Sequence, residues 1–174
     1  MRPHRSSTVV VILLAILPAI SGQSRLGTLQ EIDVVRVIDG DTLVVSVHPL
    51  RNDHEGSEPP DHITVRLYGI DAPEVNQPGG RAATRFVRRW TASRDLLLLV
   101  HNADRYGRII GEIVVQEPPD SPTLNEALVS GGLAWWYREY AREDRELARL
   151  EARARTAKRG LWSDTAPTPP WEWR

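Results

Sequence analysis

Arg66, Asp71 and Glu74 lie within nine residues of one another, in the stretch Val65-Arg66-Leu67-Tyr68-Gly69-Ile70-Asp71-Ala72-Pro73-Glu74. A guanidinium matches two phosphoryl oxygens at once. Carboxylates can hold a hard cation or orient a water. Two further segments carry the same residue types. Val37-Ile38-Asp39-Gly40-Asp41-Thr42 sets two aspartates around a glycine, and Asp104-Arg105-Tyr106-Gly107-Arg108 sets two arginines around a tyrosine and a glycine. Each alone has an ordinary reading. Asp-Gly between apolar runs is a turn signal, a glycine before a strand start is turn chemistry, and a single charged side chain is usually solvated.

The elements that must position these residues are legible from periodicity. Ile63, Val65 and Leu67 alternate with Thr64, Arg66 and Tyr68, which predicts a strand over Ile63 to Ile70 with one apolar face and Arg66 on the other. Pro73 lacks an N–H and biases Ala72 toward extended backbone, so strand pairing should stop there. Ile32 to Ile38 and Leu43 to Val47 read as a hairpin joined at Asp39-Gly40-Asp41, while Leu96 to Val100 and Ile109 to Val115 read as two more strands.

Arg81 to Trp90 has a helical period, with Ala82, Ala83, Phe86, Val87 and Trp90 on one side and Arg81, Arg85, Arg88 and Arg89 on the other. That basic stripe could steer a phosphate polymer; more commonly such a stripe is a solvated helix face. Thr123 with Glu126 is a capping-box pattern opening a helix that Gly131-Gly132 closes. Leu147, Leu150, Ala154 and Ala157 line a longer helix from Ala141 to Lys158, on which Glu151 and Arg155 form an i, i+4 pair. Three strands, a helix, two strands and then helices is the order of an OB-fold, whose open face receives oligonucleotides.

Composition bounds the rest. The 174 residues hold no cysteine, which excludes a disulfide frame and any Cys-containing zinc site. The five histidines show no ligand spacing. His48 to His62 is rich in proline, glycine and charge and reads as a long loop without assignable chemistry. Met1 to Ser21 has a basic start, an apolar run over Thr8 to Ile20 and small residues at Ala19-Ile20-Ser21, the pattern of a secretory signal. The expectation is a secreted or periplasmic protein, the alternative being a membrane-tethered one with this segment uncleaved. Without Met1 to Ser21 the chain keeps 20 basic against 23 acidic side chains, near −3. Global charge therefore gives no support for nucleic-acid binding, and any such case must be local.

Four motifs occur in order: Ile38-Asp39-Gly40-Asp41-Thr42, Arg66 to Glu74, Asp104 to Arg108, and Leu124-Asn125-Glu126-Ala127-Leu128-Val129-Ser130-Gly131-Gly132-Leu133-Ala134. Together they resemble the staphylococcal-nuclease-like (thermonuclease) family over roughly Ile32 to Ser163. The resemblance implies an α+β fold, a five-stranded Greek-key OB barrel with about three helices. The expected organisation is a signal over 1–21, a linker over 22–30, the barrel domain over 31–163 and a Pro/Trp-rich tail over 164–174.

By the same resemblance, Asp41, Asp71 and the main-chain oxygen of Ala72 would hold Ca2+, with Asp39 assisting through water. The family often has threonine where Ala72 stands, which leaves a carbonyl ligand unaffected. Arg66 and Arg108 would clamp the phosphate, and Glu74 would orient or deprotonate the attacking water. Tyr106 and Arg105 are the substrate-contact candidates, with Tyr137 and Tyr140 as further tyrosines that could stack on a base. The chain is shorter than the family's best-known member between Leu133 and Leu147, so the last two do not carry over directly. The implied function is a calcium-dependent, sugar-nonspecific nuclease acting on DNA and RNA and leaving 3′-phosphates, as a monomer. A competing reading is a non-catalytic OB-fold oligonucleotide-binding module, which predicts an eroded catalytic set, whereas Arg66, Glu74, Arg108, Asp41 and Asp71 all stand. A third reading, an interaction protein using the tail, rests on Trp171 and Trp173 alone. Pro167 to Arg174 holds three prolines and two tryptophans, a composition compatible with a docking strap.

Overall fold

Alternating burial builds the barrel. In the computed structural model, which describes residues 29–48, 62–118 and 120–174, Val65 and Leu67 point into the core from β3 (Ile63–Leu67), with Thr64 and Arg66 on the opposite face. Leu43 and Val45 do the same from β2 (Thr42–Val47), and Ile32 and Val37 from β1 (Leu29–Val37). The five long strands close in the order β1-β2-β3-β6-β5, with β5 spanning Leu96–Ala103 and β6 Ile109–Val115. (β4 is the short strand Ile70–Asp71.) Neighbours are antiparallel except β3 and β6, which run parallel with Arg66 opposite Ile110. Closure leaves the barrel with no open edge. This is the OB barrel expected from the motif order.

Helices plug and flank it. On α1 (Gly80–Thr91), Ala83, Val87 and Trp90 are buried while Arg81, Arg85, Arg88 and Arg89 are exposed, the amphipathic division that the period required. On α2 (Leu124–Ser130), Leu124, Leu128 and Val129 are fully buried. Its first turn is closed by the reciprocal pair expected there: Glu126 N–H donates to Thr123 Oγ1 at 3.1 Å and Thr123 N–H donates to Glu126 Oε2 at 2.9 Å. Asn125 reaches from the same helix to the Tyr68 carbonyl, at 2.8 Å, which ties the fourth motif to the end of β3.

Several boundaries differ from expectation, among them the start of β1 at Leu29 and the end of β5 at Ala103. The strand expected over Ile63 to Ile70 ends at Leu67, because Gly69 takes φ +70 and turns the chain out of the barrel. Ile70 and Asp71 then pair as β4 with β7 (Trp135–Trp136), in register Ile70↔Trp136 and Asp71↔Trp135. A two-residue bridge has no periodicity to read. The long helix starts later than Ala141: α3 spans Arg145–Thr156, since Asp144 caps it by accepting the Leu147 N–H at 2.9 Å. Ala157, placed on the apolar side, is exposed past the helix end. The Glu151–Arg155 pair forms, at 3.2 Å.

The C-terminal residues add a 3-10 turn (Gly160–Ser163) and a one-turn helix, α4 (Pro170–Trp173). The expected signal over 1–21, most of the linker over 22–30 and most of the loop from His48 to His62 lie outside the described residues. No helix among the described residues is long and apolar enough to cross a membrane.

Candidate active site

Asp39-Gly40-Asp41 forms a tight turn between β1 and β2, in which the Asp41 N–H donates to Asp39 Oδ1 at 3.0 Å. Glycine is required at position 40 by close approach. A Cβ there would lie 2.6 Å from the Ala72 Cβ and 2.7 Å from the Ala83 Cβ, inside van der Waals contact. The turn is therefore pressed against both the β4 exit and α1. Asp41 is buried, and its Oδ2 accepts the Ala72 N–H at 2.6 Å.

Strand register brings the guanidinium. Thr42 pairs with Arg66 across β2 and β3, and the Leu67 N–H donates to the Asp41 carbonyl at 2.8 Å. Arg66 consequently bonds Asp41 Oδ1 through one Nη and Asp71 Oδ1 through the other, the latter at 2.7 Å. Burial works against the charged Arg66, but Asp41 and then Asp71 outweigh it and hold its pKa above the ordinary value. Burial is also the largest influence on Asp41, pushing its carboxyl up to about 7 against the pull of Arg66. A carboxylate pair this dry attracts positive charge.

Glu74 sits on the rim of the same site. Its N–H donates to Gln77 Oε1 at 3.1 Å, and its carbonyl accepts the Gln77 N–H at 2.8 Å. Its carboxylate remains partly open to solvent, with 32% of the side chain exposed, and is joined to Asp71 by a group absent from every motif. Arg174 donates to Glu74 Oε1 at 2.9 Å and to Asp71 Oδ2 at 2.6 Å. Burial lowers the pKa of Arg174, yet the charge and hydrogen bonds of Asp71 and then Glu74 leave it raised.

Arg108 is placed differently. Its Nε donates to Asp104 Oδ2 at 2.7 Å and its N–H to Asp104 Oδ1 at 3.0 Å, so its described partners belong to its own turn rather than to the Asp41–Asp71 cluster. It lies directly before β6, two residues ahead of Ile110, the residue registered with Arg66. Tyr106 is 69% exposed. The Arg105 guanidinium lies 4.8 Å from its ring centroid and donates to its hydroxyl at 2.7 Å; both residues are exposed, and the Arg108 guanidinium lies 5.7 Å from the same ring. Tyr140 is exposed, whereas Tyr137 stacks on Trp171 with centroids 5.5 Å apart.

The residues therefore divide into two groups. Asp41, Arg66, Asp71, Ala72 and Glu74 converge; Arg105, Tyr106 and Arg108 form a separate turn. Arg174 and Gln77 went unrecognised in the sequence. The only signal for Arg174 was the proline and tryptophan content before it. Gln77, buried among polar neighbours, had none.

The set fits a hard divalent cation. Among the described residues no three acid or histidine side chains cluster as a metal site; the buried carboxylates present are those of Asp41 and Asp71. Calcium takes six to eight oxygens, and the rest must come from water and phosphate. The geometric observation compatible with such an ion is the capture of two guanidiniums, Arg66 and Arg174, by the acids Asp41 and Asp71.

Comparison with known proteins agrees with the fold and motifs. Residues 64–164 match the family model described as "Staphylococcal nuclease homologue". An Escherichia coli protein named "Uncharacterized endonuclease" is 39% identical over 141 residues, covering 81% of this chain and 82% of the relative. The "Micrococcal nuclease" of Shigella flexneri is 35% identical over 150 residues, covering 82% and 79%. The Arabidopsis thaliana "Staphylococcal-like nuclease CAN1" is 38% identical over 110 residues, which is 63% of this chain but 32% of that longer protein. A small barrel with a buried acid–arginine centre defines the class, and the chain belongs to the staphylococcal nuclease homologue family.

Proposed function

We propose that this nuclease is a calcium-dependent, sugar-nonspecific phosphodiesterase that hydrolyses DNA and RNA and leaves 3′-phosphates. The observation that carries the reading is the Arg66 guanidinium bridging Asp41 and Asp71, with Glu74 tied to Asp71 at the rim. Asp41, Asp71 and the Ala72 carbonyl would hold the ion, which when bound supplies Lewis acidity to a phosphoryl oxygen.

The chain's own groups do the rest. Arg66, fixed by two acids, presents a preorganised positive charge to the phosphate at no reorganisation cost. Arg108, in the turn that leads into β6, would supply the second fork. Glu74, solvent-accessible and on a loop locked by Gln77, orients the attacking water and accepts its proton. Contacts directed at the backbone carry no base information, in keeping with weak sequence preference. The Met1 to Ser21 segment directs secretion, and the mature protein acts as a monomer.

Digestion of heat-denatured DNA tests this, comparing the protein with calcium, with a chelator, and as Glu74→Gln. Cleavage only by the unmodified protein with calcium is expected. Equal degradation in all three tubes removes the mechanism, and none in any tube leaves an oligonucleotide-binding module. Secretion is tested by the N-terminal residue of extracellular protein: Met1 there contradicts signal cleavage.

A further inference from the structure

We propose that residues 164–174 form an intramolecular strap that holds the candidate active site in a latent state, with the Arg174 guanidinium covering the free oxygen of the proposed ligand Asp71 and the carboxylate of Glu74. The inference rests on the reading of Asp71 as a metal ligand and Glu74 as the water-orienting group.

The contacts form a continuous path. Gln77, which fixes the Glu74 loop through its Oε1, uses its Nε2 to donate to the Thr168 carbonyl at 2.7 Å. Pro170 is buried. Trp171 stacks on Tyr137 with planes 6° apart and meets the edge of Trp135 with centroids 6.3 Å apart. Trp135 pairs with Asp71 across β4 and β7, so the tryptophan docks on the strand neighbouring the carboxylate that Arg174 then reaches.

The oxygen inventory shows what the strap blocks. Asp41 Oδ1 receives Thr42 and Arg66, and Asp41 Oδ2 receives Ala72. Asp71 Oδ1 receives Arg66, and Asp71 Oδ2 receives Arg174. Every donor but Arg174 belongs to the barrel or its connections. Asp71 Oδ2 is the lone-pair site whose access depends on the C-terminal segment. Arg174 also neutralises Glu74, so one guanidinium covers both the ligand and the base.

Tethering makes so small a contact effective, because a docked segment acts at an effective concentration in the millimolar range. Calcium must then bind the fraction of molecules whose strap is open, and its apparent affinity falls by that fraction. Trp171 and Trp173 are 41% and 44% exposed, which leaves the strap peelable without opening the core.

Calcium titration by calorimetry in the absence of nucleic acid tests the proposal on the full chain, Arg174→Ala, Trp171→Ala and Asp71→Ala. Arg174→Ala and Trp171→Ala should each bind calcium about three- to tenfold more tightly, and amide exchange over residues 164–174 of the unmodified chain should quicken when calcium is added. Unchanged or weaker affinity in Arg174→Ala, with Asp71→Ala abolishing binding, overturns the strap while leaving the metal reading intact. Full binding by Asp71→Ala, or none by any variant, overturns the metal reading and the strap with it. Lower kcat/KM in Arg174→Ala with unaltered calcium affinity also overturns the proposal, making Arg174 a phosphate contact instead.

Discussion

Asp41 Oδ2 accepts the backbone N–H of Ala72 at 2.6 Å, although 31 positions separate the two residues. This bond joins the β1–β2 turn to the exit of β4 and thereby assembles the two carboxylates around Arg66. Asp41→Asn keeps the volume but removes the charge and turns an amide N–H2 toward one of the donors. Activity should fall at least about 10²-fold, the usual loss for an electrostatic transition-state group. A ligand at 100 times its Kd stabilises a fold by about 2.7 kcal/mol, or roughly 5–10 °C at about 2–4 °C per kcal/mol for a chain of this size. Calcium should therefore raise the Tm of the unmodified protein and leave that of Asp41→Asn in place; equal shifts in the two would remove Asp41 from the ion's ligands.

Arg108→Lys tests the planar fork. Lysine can keep an ion pair with Asp104 but cannot present two parallel N–H groups to a phosphate. A loss of about 10²-fold in kcat is expected, with Tm unchanged within roughly 2 °C, because surface ion pairs contribute about 0–1 kcal/mol. Wild-type turnover in steady-state kinetics would mean that the turn carrying Arg108 stays clear of the reacting phosphate.

Gly80→Ala should damage the site from behind. A Cβ at Gly80 would fall 1.8 Å from the Glu74 carbonyl oxygen, so the loop bearing the proposed base must move. Overpacking of this kind costs about 1–3 kcal/mol. A fall in both Tm and kcat is expected. Gly107→Ala is the control, since nothing lies within 4 Å of its Cβ position and only its φ of +78 is strained. If Gly80→Ala retains full kcat, the placement of Glu74 is irrelevant to turnover.

Arg85, Arg88 and Arg89 are exposed on α1, and among the described residues none of them is in an ion pair with an acid. If they track a polynucleotide, the triple variant to glutamine should reduce the dependence of log K on log salt by about 0.7 per lost phosphate contact on single strands. Its kcat on a short oligonucleotide should be unaltered. Fluorescence anisotropy across a salt series measures the slope, and an unchanged slope assigns the stripe to solvent.

What the sequence determined by itself was local. Alternation over Ile63–Leu67 and Ile109–Val115, the apolar side of α1 and the Thr123–Glu126 cap are all set by residues within a turn or a few strand positions of each other, and each appears in the structure. The order of the four motifs was equally legible, and with it the family and the barrel. Tertiary closure decided the rest. Gly69 broke a strand that periodicity extended to Ile70, and β4 found β7 through two residue pairs too short to leave a pattern.

The division between Arg66, fixed among acids, and Arg108, held by Asp104, followed from neighbours rather than from residue type. The reach of Arg174 to Asp71 spans 103 positions. Its energy comes from a buried charge that no window of sequence contains: a carboxylate acquires its demand for a counter-charge only once the folded barrel has removed water from around it.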